Sequence, residues 1–396
     1  MSNKVYVAGV GMIPFSKPGK NEDYDVMGSK AVQAALEDAG LSYDLIQQAY
    51  AGYVYGDSTS GQAALYRVGI TGIPIVNVNN NCASGSSALW LARQAVESGM
   101  VDCALAVGFE QMQPGALKKH WLDRPNPTLW INTIADELRG TIDETVPNAA
   151  RLFGGAGAEY VEKYGADPSI FAKVAVKSRT HAANNPYAVF RDPITEQQVM
   201  ESKHLFGTVT RLMACPPTCG AAAAIVCTEE FARKHGLRTD VAIKAQSLVT
   251  DPIDSFEPKS MISVVGTTMT KKAAKEVYEA SGVSPEDIDV VELHDCFTVS
   301  EVLIYEGLGL VNEGESEKFI LNGDNTYGGK VVVGPSGGLM SKGHPLGATG
   351  LAQCTELVWQ LRGEAGPRQV DGAKIALQHN LGLGGAGVVT LYEKMS

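Results

Sequence analysis

Cys82 stands in the stretch of this sequence whose residue types best suit nucleophilic chemistry. Residues 73–78 form a short stretch rich in β-branched side chains, which predicts a strand. Residues that favour helix follow Cys82 as far as Gly99. We therefore expect Cys82 within the first turn of a helix, where unpaired N–H groups and the helix dipole stabilise a thiolate. A buried inert cysteine is the alternative. Three asparagines before Cys82 and a Ser/Gly run after it favour the nucleophile.

Three later stretches carry residues that transfer protons or bind anions. His294 and Cys296 follow an apolar, strand-like segment. They could be a metal pair, but two ligands are too few to indicate a zinc site. His344 lies in a glycine-rich turn, where a histidine can also simply cap a loop. Residues 379–387 form a glycine loop that spells Gly-x-Gly-x-x-Gly, but too few residues follow for the βαβ unit that binds a dinucleotide.

The elements that must position these residues alternate between strands and helices. Strand patterns at 5–10, 48–54 and 103–108 accompany a helical pattern that begins at Ser29 and stops at Gly40. This alternation predicts an α/β protein with a mostly parallel sheet and helices on both faces. A chain of 396 residues is long for one core, so we expect two domains or a duplication.

The order of these patterns repeats in the second part of the chain. The spacing Glu-x-x-Gly-x-Ser-x-x-x-Ile begins at Glu37 and again at Glu279. Cys-x-x-Gly-x-x-x-Leu at Cys82 is matched by His-x-x-Gly-x-x-x-Leu at His344. An ordered series of such matches indicates two related α/β halves. Cys82 and His344 are then equivalent positions, each expected at a helix start, and a pseudo-twofold axis would bring thiol and imidazole together.

A segment of about 90 residues after the first half has no counterpart in the second. From 116 to 206 it carries 11 basic and 11 acidic residues, so the rest of the chain carries the whole net charge of −11. Because this segment is neutral and the rest of the chain is acidic, the segment is a candidate lid over a bound anionic ligand. Lys173 and Lys177 lie one helical turn apart, and Arg179 follows without an intervening acid. A solvated helix face is the alternative reading of these three cations.

Composition limits the partners and the compartment. The net charge of −11 disfavours nucleic acid and anionic membranes, and no apolar run has the length of a membrane span. Seven scattered cysteines, an odd number, indicate a reducing compartment. The N-terminus enters a strand at once without a signal peptide, and the final residues are not a peroxisomal address. We expect a cytoplasmic protein, with the peroxisomal matrix as the alternative.

Five motifs, each weak alone, occur in order along the chain. They are Asn-Asn-Asn-Cys-Ala-Ser-Gly at Cys82, His-Asp-Cys-Phe from His294, Pro-Ser-Gly-Gly from Pro335, Gly-His-Pro at His344 and Asn-Leu-Gly from Asn380. Together they resemble the thiolase superfamily, and within it the sterol-carrier-protein type. The resemblance implies an α/β thiolase fold of two βαβαβαββ halves, packed as five layers αβαβα, with a loop domain over the active site.

The resemblance also implies domain limits and an activity. The N-terminal half would comprise residues 1–115 and 207–237, the loop domain 116–206 and the C-terminal half 238–396. The expected reaction is thiolytic cleavage of 3-oxoacyl-CoA to acyl-CoA plus acetyl- or propionyl-CoA, or the reverse Claisen condensation. A homodimer or tetramer would carry it out, with coenzyme A as substrate and product, no tightly bound cofactor and no metal.

By the same resemblance, Cys82 takes the acyl group and His344 accepts its proton. Cys296 is the second acid/base, and its thiol is expected to be neutral at rest because it follows a buried strand. His294, where most thiolases have Asn, would hold the thioester oxygen together with His344. Backbone N–H groups of Cys82 and Gly382 would form the second oxyanion hole. Most thiolases place the second cysteine in the final loop, and its position here marks the subtype.

For coenzyme A, the resemblance implies that Phe153 and Phe297 line the pantetheine channel. We expect Lys173, Lys177 or Arg179 near the phosphates. Two alternatives remain: another carbon–carbon reaction on this fold, such as retro-aldol cleavage or acyl transfer, and a non-catalytic protein that binds or transfers lipid. Retention of both cysteines favours thiolysis. Relatives of this type are often fused to a lipid-carrier domain, and here a separate partner protein would supply one.

Overall fold

The computed structural model describes residues 3–115, 121–140 and 146–395. The first half contains β1 (Val5–Met12), α1 (Tyr24–Ala39), β2 (Gln48–Gly52), α2 (Ser60–Tyr66), β3 (Ile75–Val78), α3 (Ser84–Glu97) and β4 (Cys103–Glu110). The insertion and the end of this half contain α4 (Leu129–Arg139), α5 (Asn148–Tyr164), α6 (Ser169–Ala182), α7 (Glu196–Met200), β5 (His204–Phe206), β6 (Val209–Thr210), β7 (Gly220–Thr228) and α8 (Glu229–His235).

The second half repeats the five sheet strands of the first, with a different set of helices between them. It contains β8 (Val241–Val249), α9 (Met261–Val264), α10 (Thr267–Ser281), β9 (Val290–Glu292), α11 (Thr298–Gly307), α12 (Ser316–Leu321), β10 (Val332–Val333), α13 (Gly338–Ser341), α14 (Thr349–Arg362), β11 (Ile375–Gly382) and β12 (Ala386–Lys394). The predicted domain limits include residues 1–2, 116–120, 141–145 and 396, which lie outside the described residues.

Ten strands form one large sheet whose order is the same in both halves. The order is β10-β9-β11-β12-β8-β1-β7-β4-β2-β3. From the centre outward, each half presents its first, fifth, fourth, second and third strand, so a twofold rotation maps one half onto the other. The halves meet where Val5 and Tyr6 of β1 pair with Ile243 and Ala242 of β8. This symmetry confirms the duplication that the sequence spacing predicted.

The prediction of a mostly parallel sheet is wrong, because the strands near the centre are antiparallel. In each half only the three outer strands pair parallel with one another: β2 with β3 and β4, and β9 with β10 and β11. The strands nearer the centre pair antiparallel. In the second half a three-residue connection joins β11 to β12, and so short a link permits only antiparallel pairing.

Two helices, α3 and α14, lie between the strands of the two halves. They share one hydrophobic core with residues of β1, β4, β7 and β8 and with residues of β9–β12. Helix α1 covers the outer face of the first half, and α10 covers the outer face of the second. The sheet is therefore folded over the helix pair, and the layers are helix, first-half strands, helix pair, second-half strands and helix, the αβαβα arrangement of the thiolase fold.

Glycines allow the two halves to approach closely at the centre. A Cβ on Gly108 of β4 would lie 2.1 Å from the carbonyl oxygen of Gly347, and one on Gly85 of α3 would lie 2.5 Å from the same oxygen. A Cβ on Gly350 of α14 would lie 2.4 Å from the backbone nitrogen of Ser86. Gly85 and Gly347 are the glycines that match in the sequence repeat, so the repeat marks this contact.

The insertion shares a hydrophobic core with the second half of the chain. Phe153 of α5 and Phe171 of α6 belong to the same buried cluster as Val302 of α11. The Tyr160 hydroxyl of α5 donates to the Glu306 carboxylate of α11 at 2.6 Å. The insertion is therefore packed against the second half over a broad apolar face. Within the part of the chain described, none of the helices combines the length and hydropathy needed to cross a bilayer.

Replacing Gly108 with Ala is expected to lower the free energy of unfolding by about 1–3 kcal/mol, the usual cost of overpacking a buried site. The new methyl would overlap a carbonyl oxygen of the backbone, which cannot rotate away. Urea unfolding measures the change. Gly28→Ala is the control with a smaller expected loss, because its Cβ would lie 3.1 Å from side-chain atoms. Wild-type stability of Gly108→Ala would contradict the close contact.

Candidate active site

Cys82 lies in the turn between β3 and α3. The helix begins at Ser84, so the prediction that Cys82 belongs to its first turn is wrong by two residues. Asn81 adopts a left-handed φ of 51°. The Ala83 N–H donates to the Asn80 carbonyl at 3.1 Å and the Ser84 N–H donates to the Asn81 carbonyl at 3.0 Å. The asparagines therefore build a tight turn, and the Cys82 thiol donates to Asn81 Oδ1 at 3.6 Å.

His344 lies in the loop between α13 and α14. It precedes the helix by five residues, since α14 begins at Thr349. The predicted position at a helix start is therefore displaced, because Pro345 opens a separate turn in which the Ala348 N–H donates to its carbonyl at 2.9 Å. The backbone N–H of His344 donates to the Thr218 hydroxyl at 2.6 Å. This bond anchors the loop to the segment before β7.

The Thr349 hydroxyl determines which nitrogen of His344 can accept a proton. It lies 2.7 Å from His344 Nδ1 and donates its own hydrogen to the Pro345 carbonyl at 3.0 Å. Having one hydrogen, it must accept one from Nδ1–H, a tautomer that we assign from this network. His344 Nε2 then carries the lone pair. It is buried and has no hydrogen-bond partner within the described residues, so it can accept a proton.

The structure brings Cys82, His294 and His344 together from the two halves. The Cys82 sulfur and one ring nitrogen of each histidine lie within 4.8 Å of one another, and all three residues are buried. The two imidazole rings are nearly perpendicular, with centroids 5.1 Å apart. The three atoms also have the spacing of metal ligands, which the two-residue motif at 294–296 did not indicate.

Cys296 is a second buried thiol in this region. Its carbonyl accepts the N–H of Cys215 at 2.9 Å. Burial above all, and then the thiols of Cys215 and Cys82, raise the pKa of Cys296 well above its usual range. The neutral thiol expected from the sequence therefore agrees with the structure. Sequence reasoning missed Cys215, which stands between an alanine and two prolines and belongs to no recognisable motif.

Burial also determines the resting state of the nucleophile. It raises the pKa of Cys82 to about 12, and the Glu110 carboxylate acts in the same direction. Burial lowers the pKa of His344 to about 3. The resting pair is therefore a neutral thiol and a neutral imidazole, whereas the sequence argument favoured a thiolate. The effect of the helix dipole on Cys82 is smaller than expected, because the site is buried and α3 begins after Cys82.

Glu110, at the end of β4, is a buried carboxylate that sequence reasoning missed. Its oxygens accept the backbone N–H groups of Val54 at 3.0 Å, Tyr55 at 2.8 Å and Gly347 at 2.9 Å. It therefore ties the loop after β2 to the loop before α14. Burial raises the pKa of Glu110 to about 7, and the three backbone donors act against this rise. An acid directly after an apolar strand was the available signal.

Gly382, at the end of β11, lies against the turn that holds Cys82. A Cβ on Gly382 would be 2.1 Å from the Asn80 carbonyl oxygen. The Asn81 side chain donates to the carbonyl of Leu383 at 3.0 Å. Backbone groups of the glycine segment and of the cysteine turn are therefore neighbours, as an oxyanion hole shared by the two requires. The role of Gly382 and Cys82 in such a hole stays a prediction.

Phe153 and Phe297 stack on each other, with ring centroids 4.9 Å apart. Both are buried, and Phe297 directly follows Cys296 in the chain. The pair therefore joins α5 of the insertion to the start of α11 beside a candidate catalytic thiol. Their expected role along a pantetheine channel is compatible with this location and stays a prediction.

The three cations predicted near the CoA phosphates lie on α6 and already have partners. Lys173 forms a half-exposed ion pair with a glutamate of α7, at 2.8 Å. Lys177 is only partly buried, with 9% of its side chain accessible, and pairs with the buried carboxylate of Glu301. The Arg179 guanidinium lies 4.4 Å from the ring centroid of Phe190. The charge of Lys177 is therefore neutralised inside the protein, whereas those of Lys173 and Arg179 are closer to solvent.

Comparisons with known proteins agree with this geometry. A family model described as "Thiolase, N-terminal domain" matches residues 5–206, and one described as "Thiolase C-terminal domain-like" matches residues 254–392. The chain is 53% identical to sterol carrier protein 2 of Rattus norvegicus, over 98% of this chain and 72% of the relative. It is 35% identical to an acetyl-CoA acetyltransferase of Methanothermobacter thermautotrophicus, over 97% of this chain and 99% of the relative.

The similarity extends to solved structures. The human mitochondrial 3-ketoacyl-CoA thiolase superposes with a TM-score of 0.74, covering 100% of this chain and 99% of that chain at 19% identity. At that identity the match supports the fold alone. Together the two family models cover most residues of this chain. Both relatives are more than 30% identical to this chain over almost its whole length. This chain belongs to the thiolase family.

Proposed function

We propose that this protein cleaves 3-oxoacyl-CoA esters by CoA-dependent thiolysis, giving acyl-CoA plus acetyl- or propionyl-CoA, or catalyses the reverse condensation. The observation that carries the proposal is the convergence of the Cys82 thiol on two imidazoles, with a second buried thiol, Cys296, whose pKa the Cys82 thiol helps to raise. Cleavage between C2 and C3 requires a soft nucleophile for the ketone carbon and an acid for the departing carbanion. The two thiols supply one of each.

In the first half-reaction, Cys82 attacks C3 while its proton passes to Nε2 of His344. Because both groups are neutral at rest, proton transfer accompanies the attack and no thiolate accumulates beforehand. The C2–C3 bond then breaks, and its electron pair forms the enolate of the shorter CoA ester. Cys296 donates its proton to C2, which completes acetyl- or propionyl-CoA and leaves the acyl group on Cys82. Donors around the enolate oxygen stabilise the developing charge.

In the second half-reaction, a CoA thiol gives its proton to the Cys296 thiolate and attacks the acyl carbon. The tetrahedral intermediate places its charge on the acyl oxygen, where the backbone N–H groups of Cys82 and Gly382 are proposed to donate. Collapse expels the Cys82 sulfur, which recovers a proton from the His344 imidazolium. Every group then returns to its resting state, so the cycle needs neither a redox step nor a bound cofactor.

The finer features of the proposal concern binding, assembly and location. Coenzyme A would lie along Phe153 and Phe297, with Lys173 and Arg179 as phosphate contacts. Lys177 is a weaker candidate because its ammonium is paired with Glu301. We also propose a homodimer or tetramer and a role in fatty acid β-oxidation. All seven cysteines are free, which supports the cytoplasm or the peroxisomal matrix as the compartment.

Lipid binding or transfer without catalysis is the second candidate function. It is favoured by one observation, the similarity to a relative named sterol carrier protein 2. The arrangement of two thiols and two histidines favours the enzyme, since lipid binding requires none of these groups. Turnover of a series of 3-oxoacyl-CoA esters with straight, branched and steroid-derived chains distinguishes the two functions. Absence of thiolysis across the series would favour the carrier.

Incubation with acetyl-CoA is expected to add the mass of one acetyl group to the peptide that contains Cys82. Cys82→Ala should lose this label together with thiolysis, because no other thiol of the described residues shares the two imidazoles. Peptide mass spectrometry measures the label. Cys103→Ala is the matched control, a buried thiol of β4 outside the site, and should keep both properties. Acetylation at another cysteine would refute the assignment.

Alkylation of Cys82 by iodoacetamide is expected to accelerate about tenfold per pH unit from about pH 6 to about pH 9. The reason is that the pKa of Cys82 is raised to about 12, so the thiolate fraction keeps growing across this range. Quantifying the alkylated peptide over time gives the rates. A rate that levels off near neutral pH would instead indicate a thiolate–imidazolium pair at rest.

Cys296→Ser is expected to lower carbon–carbon cleavage and condensation by about 10²-fold or more, the usual effect of losing a positioned acid/base. Acyl transfer from acetyl-CoA to Cys82 should largely persist, because a CoA thiolate leaves far more easily than a carbanion and depends less on the proton of Cys296. Exchange of the α-protons of acetyl-CoA with deuterated solvent, followed by NMR, should fall together with cleavage. Cys215→Ser is the control for loss of a neighbouring thiol. Unchanged exchange in Cys296→Ser would make Cys296 a packing residue.

A further inference from the structure

We propose that Ser86, Gln378 and Asn380 are positioning residues that fix the tautomer of His294, so that its Nε2–H points at the oxygen that becomes negative during the reaction. The inference rests on the proposed function for its chemistry, but its structural basis is independent. It concerns a chain of buried hydrogen bonds that joins the helix after Cys82 to the strand β11. No motif of the sequence contains Gln378, and Ser86 entered only as part of the Ser/Gly run after Cys82.

The direction of the hydrogen-bond chain is set by a backbone carbonyl. The carbonyl of Gly350 can only accept, and the Gln378 amide lies 2.7 Å from it, so that amide nitrogen must face Gly350. The same nitrogen lies 2.9 Å from the Ser86 hydroxyl and donates to it. The Tyr392 hydroxyl donates to the other end of the amide, Gln378 Oε1, at 2.5 Å. The orientation of Gln378 is therefore determined.

Ser86 transmits this direction to Asn380. Since the Ser86 hydroxyl accepts from Gln378, its single hydrogen is available to donate to Asn380 Oδ1, at 2.9 Å. The Asn380 amide nitrogen then faces His294 Nδ1, at 3.1 Å. An amide nitrogen can only donate, so His294 Nδ1 must accept and the ring hydrogen resides on Nε2.

The surroundings of this chain of bonds are dry, and the further acceptor beside the Gln378 amide nitrogen, Gln353 Oε1 at 3.4 Å, lies farther away than Gly350 and Ser86. Ser86, Gln378, Asn380 and Tyr392 are all essentially inaccessible to solvent, so bulk water cannot supply an alternative donor. The space is also tight, because a Cβ on Gly350 would lie 2.1 Å from the Ser86 hydroxyl oxygen and 2.9 Å from Asn380 Oδ1. Hydrogen bonds in such a site are strong, and reversing one of them would leave a buried polar group unpaired.

The tautomer matters because His294 is neutral. Burial first, and then the neighbouring His344 and His379, lower the pKa of His294 well below its usual range. A neutral imidazole has one N–H, so the tautomer decides whether Nε2 offers a hydrogen or a lone pair. His344 offers its lone pair at rest and becomes a donor after taking the Cys82 proton. Both rings then donate to an enolate oxygen.

The tautomer of His294 also determines whether Cys82, His294 and His344 are prepared to bind a metal ion. Cys82, His294 and His344 have the spacing of a metal site, but a metal requires a lone pair from each imidazole. With its hydrogen on Nε2, His294 presents a donor to the shared space. The resting group is therefore suited to a developing oxyanion, and a cation would first have to reverse the Asn380 amide.

The test combines NMR with kinetics on Ser86→Ala and Asn380→Ala. In protein labelled with ¹⁵N-histidine, the wild-type His294 signals should have the pattern of the Nε2–H tautomer, with assignment by His294→Gln. In Ser86→Ala the Asn380 amide can rotate, so mixed tautomers and a fall in kcat of about tenfold are expected. In Asn380→Ala we expect a fall of about 10²-fold, comparable to loss of an oxyanion donor. KM for CoA should change little.

Ser316→Ala is the matched control, because it likewise removes a buried serine hydroxyl, one that bonds to the Val302 carbonyl at 2.9 Å and to the Glu306 carboxylate at 2.8 Å and not to the site. It should retain kcat and the His294 signals. An Nδ1–H tautomer in the wild type, or unchanged His294 signals in both variants, would overturn the inference. The wild-type tautomer is observed without substrate, and only the assignment of its signals needs the His294→Gln variant. Failure of the proposed function is seen separately, as absence of thiolysis by the wild-type protein.

Discussion

The direct contact between glycine backbone atoms of the two halves, at the centre of the molecule, is the constraint on which the active site depends. The carbonyl oxygen of Gly347 lies where a side chain on Gly85 or Gly108 would otherwise stand. Only this closeness brings the turn of Cys82 from one half within reach of the loop of His344 from the other. Glu110 reinforces the contact, since its carboxylate binds the Gly347 N–H and the loop after β2.

Such close packing excludes water, and the exclusion determines the chemistry. A thiolate or an imidazolium at rest would be costly in a buried site, and both Cys82 and His344 are shifted toward their neutral forms. The direction of the hydrogen bonds to the two histidines, and not a charge on the resting groups, therefore prepares the site for the reaction. Thr349 leaves a lone pair on one histidine, and Asn380 leaves a hydrogen on the other.

Much of this arrangement could be predicted from sequence, because the duplication left matched spacings. The alignment of Cys82 with His344 predicted two groups related by a pseudo-twofold axis, and the strand order has that symmetry. Local patterns failed where tertiary structure decides. They could not reveal that α3 begins after Cys82, that the central strands are antiparallel, or that Lys177 is paired with a buried glutamate 124 residues away. Glu110 and Cys215 belong to no short motif, since only folding gives them neighbours.

The shared core of the insertion and the second half bears on the history of the chain. A duplication yields two halves that begin as equals, but here a segment interrupting the first half covers an apolar face of α11 in the second. Each half thus covers nonpolar surface of the other, at α11 and around the central helices α3 and α14. Separating the two halves at the repeat boundary would therefore expose the apolar face of α11. The insertion therefore couples the two repeats, and we expect them to unfold as one cooperative unit.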